Sequence, residues 1–530
     1  MRFSGTRFHH PVAFWSGTLA IAAGVCAHLP MFFAAREMHY RMAGMPIDAA
    51  MVAGMALILA GLAASVYGVV PRRSAPGGGG RTLSLHVADN APLTRAHARL
   101  LAVLIVALVV DIMKPATLAF VVPGMSEEYA ISRETATLLA FSALIGTAAG
   151  SLVWGLIADA IGRRSAILIS SLLFVGTAVC GSMPTFEWNL FMCFMMGASA
   201  GGLLPIAFTL MAETVPARHR GWLLVLLGGI GTTGGYLAAA GCAAWLEPEY
   251  GWRILWFFNL PTGLLLILLN RYLPESPRFL AHIGRNDEAR AVLARYGVSV
   301  VESRVEPPLP AAADQLRAMP LLFGRHIVML TTGLVLCGIA WGLVNFGFLL
   351  WLPSHLRGLG FSGGTGEALL ARSAFLALPG ALLVTWLYHR WSTVRTLVLF
   401  TLLTAASLFG FDLLGAAHTG SAAAFTILTI ALLASVSGVI AMLIPYSTEI
   451  YPVQVRGTGS GVVAGASKLG GIAASGLGVL GAFASMPGSA LAIAAFLAVS
   501  AVALFARGIE TRGRSLEDIH AGIAAGALRK

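Results

Sequence analysis

Charged residues are scarce in this chain. Of its 530 residues, 11% are charged and 57% are hydrophobic, whereas soluble domains carry about 25% charged residues. So small a share of charge cannot keep a soluble protein of this size dispersed. It therefore excludes soluble enzymes, nucleic-acid-binding proteins and disordered proteins. The class that remains is an integral membrane protein with several spanning helices.

Cysteine is also rare, and it follows no metal-binding or disulfide pattern. The 5 cysteines lie inside apolar runs, and none has the CxxC spacing of a zinc or redox site. We expect them to be small buried hydrophobic residues. The sequence also lacks a GxxxxGK(S/T) phosphate-binding loop, a metal-ligand cluster and a catalytic triad. These absences argue against direct ATP drive and against an enzyme, and no metal or cofactor is expected.

What the chain does contain is long apolar runs. A membrane-spanning helix needs about 20 mostly apolar residues, and fourteen stretches of the sequence meet this requirement. The predicted spans lie at about 12–35, 48–70, 98–123, 135–158, 166–184, 189–213, 221–245, 254–272, 326–352, 368–388, 396–415, 422–447, 457–482 and 488–507. The first span also fits a signal peptide, although it is long and lacks a clear small-residue cleavage site.

The spans and the polar stretches between them predict an all-α membrane protein with a 2 + 6 + 6 arrangement. The predicted parts are an extra N-terminal helix pair (1–70), a cytoplasmic linker (71–97), an N-terminal six-helix bundle (98–273), a cytoplasmic inter-bundle loop (274–325), a C-terminal six-helix bundle (326–507) and a cytoplasmic tail (508–530). The run from Gly77 to Gly80 makes the first linker flexible in composition.

The positions of the basic residues predict the orientation. Most of the 35 lysines and arginines fall in segments that lie on the same side of the membrane as both termini. Positive residues concentrate on the cytoplasmic side of membrane proteins, so both termini are predicted to lie in the cytoplasm. The net charge of +11 then reflects topological anchors and gives no reason to expect a nucleic-acid partner.

The two predicted bundles carry an internal repeat. Residues 213–221 read ETVPARHRG and residues 449–457 read EIYPVQVRG, so glutamate, proline, arginine and glycine recur at the same spacing. Both copies end the fourth helix of their bundle and precede a glycine-rich helix. A duplicated six-helix unit is typical of transporters whose halves move about a central site. The two bundles are therefore expected to be related by a pseudo-twofold axis.

These motifs resemble those of the major facilitator superfamily over about 95–520. The loop at 155–164, GLIADAIGRR, is similar to the family's GxxxD(R/K)xGR(R/K) loop, with Ala160 in place of a basic residue. The stretches from Leu273 to Ala289 and from Glu510 to Ile519 are similar to the sugar-porter-like part of the superfamily. The resemblance implies the major facilitator fold, here with two extra N-terminal helices and fourteen in all.

Departures from the sugar-porter pattern indicate which branch of the superfamily the chain resembles. The seventh core helix reads Trp351-Leu352-Pro353 where sugar porters have paired glutamines. The chain is more similar to metabolite:proton symporters related to aromatic-acid carriers and synaptic-vesicle-glycoprotein-like proteins. The segment from Gly231 to Gly235 has the glycines but not the proline of the drug-antiporter signature. Drug export is therefore the weaker alternative.

The few charges inside the predicted spans are candidates for proton coupling and substrate contact. Asp111 and Lys114 are three residues apart and share one face of the first core helix. A charge at the bilayer centre costs about 2.5–3.5 kcal/mol or more, so such residues face a cavity or a partner. The pair is either a proton and substrate site or a mutually neutralising structural pair. Lys468 is a ligand, gate or packing residue, and the weaker substrate candidates are Asn345, Trp341 and Tyr446.

The family resemblance implies a cytoplasmic gate built on the 155–164 loop. An aspartate at a helix end can pair with arginine or with a helix N-terminus. In the second bundle, His389 and Ser392 occupy the Asp159 and Gly162 positions, so the gate is expected to be asymmetric. Glu213 is expected to pair with Arg220, and Glu449 with Arg456. The candidate gate residues are Gly155, Asp159, Gly162, Arg163, Arg164, Glu213, Arg220, Glu449 and Arg456.

The sequence thus predicts a secondary active transporter of a small organic solute, such as an organic acid or related metabolite, with proton-coupled symport by alternating access. The alternatives are proton-driven efflux of drugs or metabolites and a non-transporting sensor on the same fold. The expected partners are the solute, protons and the lipid bilayer. The protein is expected to act as a monomer in the bacterial inner membrane.

Overall fold

A computed structural model describes residues 8–70, 92–282, 285–297, 328–361, 363–417, 422–451 and 456–512. In these ranges the regular secondary structure is helical and contains no strand. Fourteen of the described helices are long and apolar enough to cross a membrane. The prediction of an all-α chain with fourteen candidate membrane helices is therefore confirmed.

Sixteen helices are labelled here in chain order, and α9 and α10 are short helices between the membrane helices. Their bounds are α1 Pro11–Met38, α2 Ala49–Val69, α3 Arg95–Glu128, α4 Leu138–Ile161, α5 Arg163–Ser182, α6 Phe186–Thr214, α7 Ala217–Tyr250, α8 Ile254–Tyr272, α9 Pro277–His282, α10 Asn286–Arg295, α11 Val328–Gly358, α12 Gly363–Arg390, α13 Thr393–Ala417, α14 Ala422–Ile450, α15 Arg456–Val479 and α16 Met486–Arg507.

Several helices change geometry along their length. The last turns of α5, Thr177–Ser182, tighten into a 3-10 helix. In α11 the segment Val344–Phe348 widens into a π-helix, which places Asn345 in an irregular turn. Helix α3 extends to Glu128 and contains Pro115 and Pro123. Apolar runs predict that a helix exists, whereas local hydrogen-bond patterns of this kind depend on packing against neighbouring helices.

The N-terminal pair α1–α2 packs as an antiparallel hairpin through glycines. A Cβ atom added at Gly17 would lie 2.4 Å from the carbonyl oxygen of Gly61, and one added at Gly61 would lie 2.6 Å from that of Gly17. Gly24 and Gly54 make the same reciprocal contact one heptad away. Small residues at such positions let helix backbones approach closely in a membrane.

The hairpin is attached to the side of α5. Ile58 of α2 contacts Gly176 of α5, where an added Cβ atom would lie 3.1 Å from the Ile58 side chain. The turn between α1 and α2 is held separately, because the Gly44 amide donates to the Pro184 carbonyl at 3.0 Å. The extra pair is therefore joined to the rest of the protein along its length and at its turn.

Spatial proximity divides the chain into two compact units. Unit 1 comprises Met1–Ser132, Ser142–Arg220 and Trp245–Glu306, and unit 2 comprises Arg133–Phe141, Gly221–Ala244 and Pro307–Lys530. The hairpin α1–α2 belongs to unit 1. Most of α7 belongs to unit 2, although the sequence assigns it to the N-terminal bundle. The domain boundaries proposed from the sequence stay a prediction.

Replacing Gly61 by leucine tests the packing of the hairpin. Its side chain would meet the backbone of Gly17, and overpacking of this kind costs about 1–3 kcal/mol. We expect the variant to melt at a lower temperature than the wild type in a thermal unfolding measurement on the purified protein. Leu59→Ala is the control, because Leu59 lies on the same helix and is 68% exposed. Equal melting temperatures for Gly61→Leu and the wild type would contradict the close crossing.

Candidate functional site

The start of α5 carries a cluster of polar residues in unit 1. A carboxylate oxygen of Glu275, Oε1, accepts hydrogen bonds from the amides of Arg163 (2.7 Å), Arg164 (3.2 Å) and Ser276 (2.9 Å). The first amides of a helix have no partner inside the helix, and a carboxylate there is favoured by the helix dipole. Glu275 therefore caps α5 from the segment that follows α8.

Gly162 makes this cap possible. Its φ of +98° is a conformation that side chains disfavour, and an added Cβ atom would lie 2.4 Å from Oε2 of Glu275. The carboxylate cannot simply move aside, since its other oxygen holds the amides of α5. A glycine at position 162, between α4 and α5, is thus explained both by backbone conformation and by the close approach of Glu275.

The side chains of the two arginines bind other parts of unit 1. Nε of Arg163 lies 3.6 Å from Oε2 of Glu213. The guanidinium of Arg164 donates to Oδ1 of Asn270 at 2.8 Å and lies 5.0 Å from the ring of Phe8. The described ion pair of Glu213 is with Arg163, and the predicted pairing of Glu213 with Arg220 stays a prediction. Together Gly162, Arg163, Arg164, Glu213 and Glu275 form cluster 1.

Burial is the dominant influence on the titration of Glu275. It raises the pKa of the Glu275 carboxyl above its ordinary value, and hydrogen bonds from Ser276, Arg164 and Arg163 oppose that rise. A buried carboxylate is costly unless it is hydrogen-bonded. The three amides supply the hydrogen bonds that make this placement possible.

A corresponding cluster lies at the start of α13 in unit 2. A carboxylate oxygen of Glu510, Oε1, accepts from the Thr393 amide at 3.1 Å and from the Thr393 hydroxyl at 2.8 Å, and Oε2 accepts from the Ser392 hydroxyl. Ser392 is the residue that the sequence aligns with Gly162. Glu510 follows α16 and caps α13 as Glu275 follows α8 and caps α5.

Glu449 lies beside this cap in the last turn of α14. Its Oε2 accepts hydrogen bonds from the hydroxyls of Thr511 at 2.6 Å and Tyr388 at 3.1 Å. Burial raises the pKa of Glu449, and the hydrogen bonds from Thr511 and Tyr388 oppose that rise. Cluster 2 is defined here as Tyr388, Ser392, Thr393, Glu449, Glu510 and Thr511.

Some predicted gate residues lie outside clusters 1 and 2, and the side chains of others are not described. The side chains of Asp159 and Arg456 lie outside the described part of the chain, so their predicted roles stay predictions. Gly155 faces open space, with no atom within 4 Å of an added Cβ. The ring of His389 lies 6.3 Å from that of Trp222. Arg220 is half-buried at the start of α7.

The membrane-embedded pair lies inside unit 1. Lys114 has no exposed surface, and its ammonium donates to the Phe174 carbonyl at 2.6 Å and to the Thr177 hydroxyl at 2.5 Å. The ammonium also lies 3.5 Å from the centre of the Phe174 ring. Asp111 is 6% exposed on the same helix. Lys114 therefore joins α3 to the point where α5 tightens into its 3-10 turns.

The other substrate candidates lie in unit 2. Trp341 donates to the Val436 carbonyl at 3.1 Å, which fixes its ring against α14. The Tyr446 hydroxyl is buried and engaged twice by Ile509, donating to its carbonyl at 2.8 Å and accepting from its amide at 2.9 Å. Asn345 and Lys468 are half-buried on α11 and α15. The structure thus uses Tyr446 to hold the segment after α16.

Two of the capping residues were not among the predicted site residues. Glu275 and Glu510 were noted only as parts of family-like motifs. The internal repeat contains the missed signal, because Glu275-Ser276 follows α8 and Glu510-Thr511 follows α16. An acidic residue at the same place in both halves, next to a hydroxyl residue, indicates a shared structural task.

A further buried ion pair lies at the other end of unit 1. Arg253 and Glu128 approach to 2.7 Å with 1% and 3% of their side chains exposed. Glu128 also accepts from the amides of Met42 at 2.6 Å and Ala43 at 2.9 Å. Arg253 and Glu128 were not among the predicted site residues. In the structure Glu128 joins the turn of the N-terminal hairpin to α3, and Arg253 joins the start of α8 to α3.

These features define a helical integral membrane protein with two polar clusters at helix starts and a buried Asp111 and Lys114 pair inside a membrane helix. In the described ranges no group of three His, Cys, Asp or Glu residues is placed to hold a metal ion. The chemistry available is that of proton binding, ion pairing and hydrogen bonding.

Comparison with known proteins gives the family. Residues 100–475 match the family model described as Major Facilitator Superfamily. The chain is 29% identical to the niacin transporter NiaP of Acinetobacter baylyi over 81% of this chain and 98% of that protein. It is 29% identical to the 4-hydroxybenzoate transporter PcaK of the same bacterium, over 74% of this chain and 86% of PcaK. A structure of the proton:xylose symporter XylE of E. coli matches with a TM-score of 0.63 at 18% identity, over 80% of this chain and 98% of XylE.

The protein belongs to the Major Facilitator Superfamily. It is a multi-pass integral membrane transport protein and not an enzyme. The superfamily predicted from the 155–164 loop and the repeated motifs is confirmed, and the resemblance to metabolite transporters agrees with the relatives named above. The likeness to XylE shows the shared fold.

Gly155 within α4 and Gly162 between α4 and α5 make a matched test of cluster 1. Gly162→Ala combines a strained φ with a clash against Glu275, and we expect it to destabilise the protein by about 1–3 kcal/mol. Gly155→Ala adds a methyl group in open space and favours a helix, so we expect no loss of stability. Thermal unfolding of both purified variants measures the difference. An equal effect of the two substitutions would be inconsistent with the described contact of Gly162 with Glu275.

Proposed function

We propose that this protein is a secondary transporter that imports a small organic solute together with protons. The observation that carries the proposal is the buried pair Asp111 and Lys114, one turn apart inside a membrane helix. Ionisable residues in such positions are costly and mark substrate or proton pathways. The relatives named for niacin and 4-hydroxybenzoate support an aromatic carboxylate as the solute class.

The arrangement around Lys114 assigns different tasks to the two residues. The ammonium of Lys114 already binds the Phe174 carbonyl and the Thr177 hydroxyl, neither of which carries a charge. Asp111 is thus the carboxylate that balances the lysine. In the proposed cycle a proton neutralises Asp111, and the positive charge of Lys114 is then available to attract the carboxylate of the solute. Release of the proton restores the original balance and favours release of the solute.

The proposed architecture follows the internal repeat. Helices α3–α8 and α11–α16 form two six-helix bundles related by a pseudo-twofold axis, with α1–α2 as an added pair. Both termini lie in the cytoplasm, as the distribution of lysine and arginine supports. The protein acts as a monomer in the bacterial inner membrane. Alternating access arises when one bundle moves against the other.

Cluster 1 and cluster 2 are proposed to belong to the cytoplasmic gate. The Arg163–Glu213 contact joins the start of α5 to the end of α6, and the Glu275 cap joins the start of α5 to the segment after α8. A contact that forms in one state and breaks in the other biases the equilibrium between the two states. The capped ends keep each group of helices rigid while the groups move.

Transport by purified protein in liposomes tests the proposed function. With an inward proton gradient, we expect accumulation of labelled nicotinate or 4-hydroxybenzoate by the wild type. Asp111→Asn should abolish gradient-driven accumulation and retain exchange of solute across the membrane, because only the proton step is lost. Asp412→Asn is the control, since Asp412 is a half-buried aspartate of another membrane helix.

Two results would contradict this assignment. Gradient-driven accumulation by Asp111→Asn at the wild-type rate would remove the role of Asp111. Movement of these solutes only against the direction of the proton gradient would replace import by proton-driven efflux. An absence of any flux with a broad panel of organic acids and sugars would favour a sensor.

A further inference from the structure

An unbroken series of oxygen contacts connects two carboxyl groups in cluster 2. Oε2 of Glu449 lies 2.6 Å from the hydroxyl of Thr511, which lies 3.0 Å from the hydroxyl of Thr393. The Thr393 hydroxyl in turn lies 2.8 Å from Oε1 of Glu510. Three contacts at hydrogen-bond distance therefore follow one another between the two carboxyl groups.

The number of hydrogens available for these contacts is too small if both carboxyl groups are ionised. Each threonine hydroxyl donates one hydrogen, and an ionised carboxylate donates none. Two hydrogens cannot satisfy three oxygen–oxygen contacts, so the hydroxyl oxygens of Thr511 and Thr393 would lie 3.0 Å apart with no hydrogen between them. One added proton on a carboxyl group completes the series, with each group donating to the next.

Cluster 1 has a positive charge at a position where cluster 2 has none. In cluster 1, Glu213 lies 3.6 Å from the guanidinium of Arg163, which balances its charge. By the sequence repeat, Glu449 corresponds to Glu213, and the residue after Ser392 is Thr393 where cluster 1 has Arg163. The second cluster therefore places a hydroxyl group at the position where the first has a positive charge.

The surroundings of Glu449 contain further acidic groups. Among the described side chains, the titratable groups that face it are Tyr388 from α12, Tyr446 from its own helix and Glu510 from the segment after α16. Helix α13 contributes the Thr393 hydroxyl, and α7 contributes Gly221, where an added Cβ would lie 3.0 Å from Oε1 of Glu449.

Among the described side chains, the arginine that follows Glu510 in sequence binds elsewhere and does not contact Glu449. Arg512 directs its guanidinium to the Trp391 carbonyl at 2.9 Å. Arg456 of α15 lies outside the described side chains.

We propose that cluster 2 is a proton-binding site and that Glu449 carries the bound proton. It is separate from Asp111, and it lies at the helix ends of unit 2. When protonated, Glu449 donates to Thr511, Thr511 donates to Thr393, and Thr393 donates to Glu510. Loss of the proton breaks this series and leaves two negative charges facing each other across two hydroxyl groups. Release of the proton therefore loosens the segment after α16 from α13 and α14.

The two carboxyl groups differ in a way that identifies the proton carrier. Burial tends to raise the pKa of Glu510, but hydrogen bonds from Ser392, Thr393 and the Arg512 amide outweigh it and lower the pKa below its usual value. Burial raises the pKa of Glu449, where the described donors that oppose the rise are the hydroxyls of Thr511 and Tyr388. The proton therefore resides on Glu449 while Glu510 stays ionised.

Infrared difference spectroscopy of the full-length protein in lipid, recorded during a pH titration, tests this proposal. A protonated carboxyl group has its own C=O stretching band, and at a pH where exposed carboxyl groups are ionised the wild type should keep a component of this band that belongs to Glu449. Glu449→Gln should remove that component. Glu213→Gln makes the same change at the corresponding glutamate of cluster 1 and should leave the component in place.

Two further variants keep the test decisive if Glu449→Gln does not fold. Thr511→Val removes the hydrogen-bond partner of Glu449 and should shift the frequency of the component. Thr393→Arg gives cluster 2 the cation that cluster 1 has in Arg163. It should therefore move the titration of the Glu449 component to lower pH. The proposal is overturned if Glu449→Gln retains the component, if Glu213→Gln removes it, or if neither Thr511→Val nor Thr393→Arg alters it.

Discussion

The capping of buried helix starts by carboxylates is the interaction on which the two polar clusters depend. A helix that begins inside the protein exposes amides without partners, and leaving them unsatisfied in a buried place costs about 1–3 kcal/mol each. Glu275 satisfies the Arg163 and Arg164 amides of α5, and Glu510 satisfies the Thr393 amide of α13. Each cap comes from the segment after a later membrane helix, so it also fixes where that helix ends. Gly162, Arg163, Ser392 and Thr393 all take their positions from these two contacts.

The same rule governs the charges inside the membrane helices. Lys114 is buried entirely and finds its hydrogen-bond acceptors on α5, while Arg253 and Glu128 neutralise each other at the far end of unit 1. The few charged side chains thus lie where helices contact each other. Glu128 of α3 also binds the turn of the N-terminal hairpin. The proposed transport cycle adds one requirement, that Asp111 changes its protonation while the neighbouring contacts of Lys114 persist.

The sequence predicts the helices better than the contacts between them. Long apolar runs suffice to predict fourteen candidate spans, because the membrane requires length and apolar character from each one. The superfamily followed from the 155–164 loop and the repeated glutamates. The roles of Glu275 and Glu510 did not follow, since a cap depends on which loop reaches a helix start. Sequence reasoning also gave no reason to pair Lys114 with Phe174 and Thr177, because those contacts depend on the rotation of α3 against α5.

Hydrogen exchange at the start of α5 tests the central claim most directly. In Glu275→Ala the amides of Arg163 and Arg164 lose their acceptor and should exchange faster than in the wild type. The Thr393 amide of α13, which Glu510 caps, should exchange at an unchanged rate in the same sample. Unchanged exchange of the Arg163 and Arg164 amides in Glu275→Ala would contradict the account, because it would mean that these amides do not depend on the carboxylate.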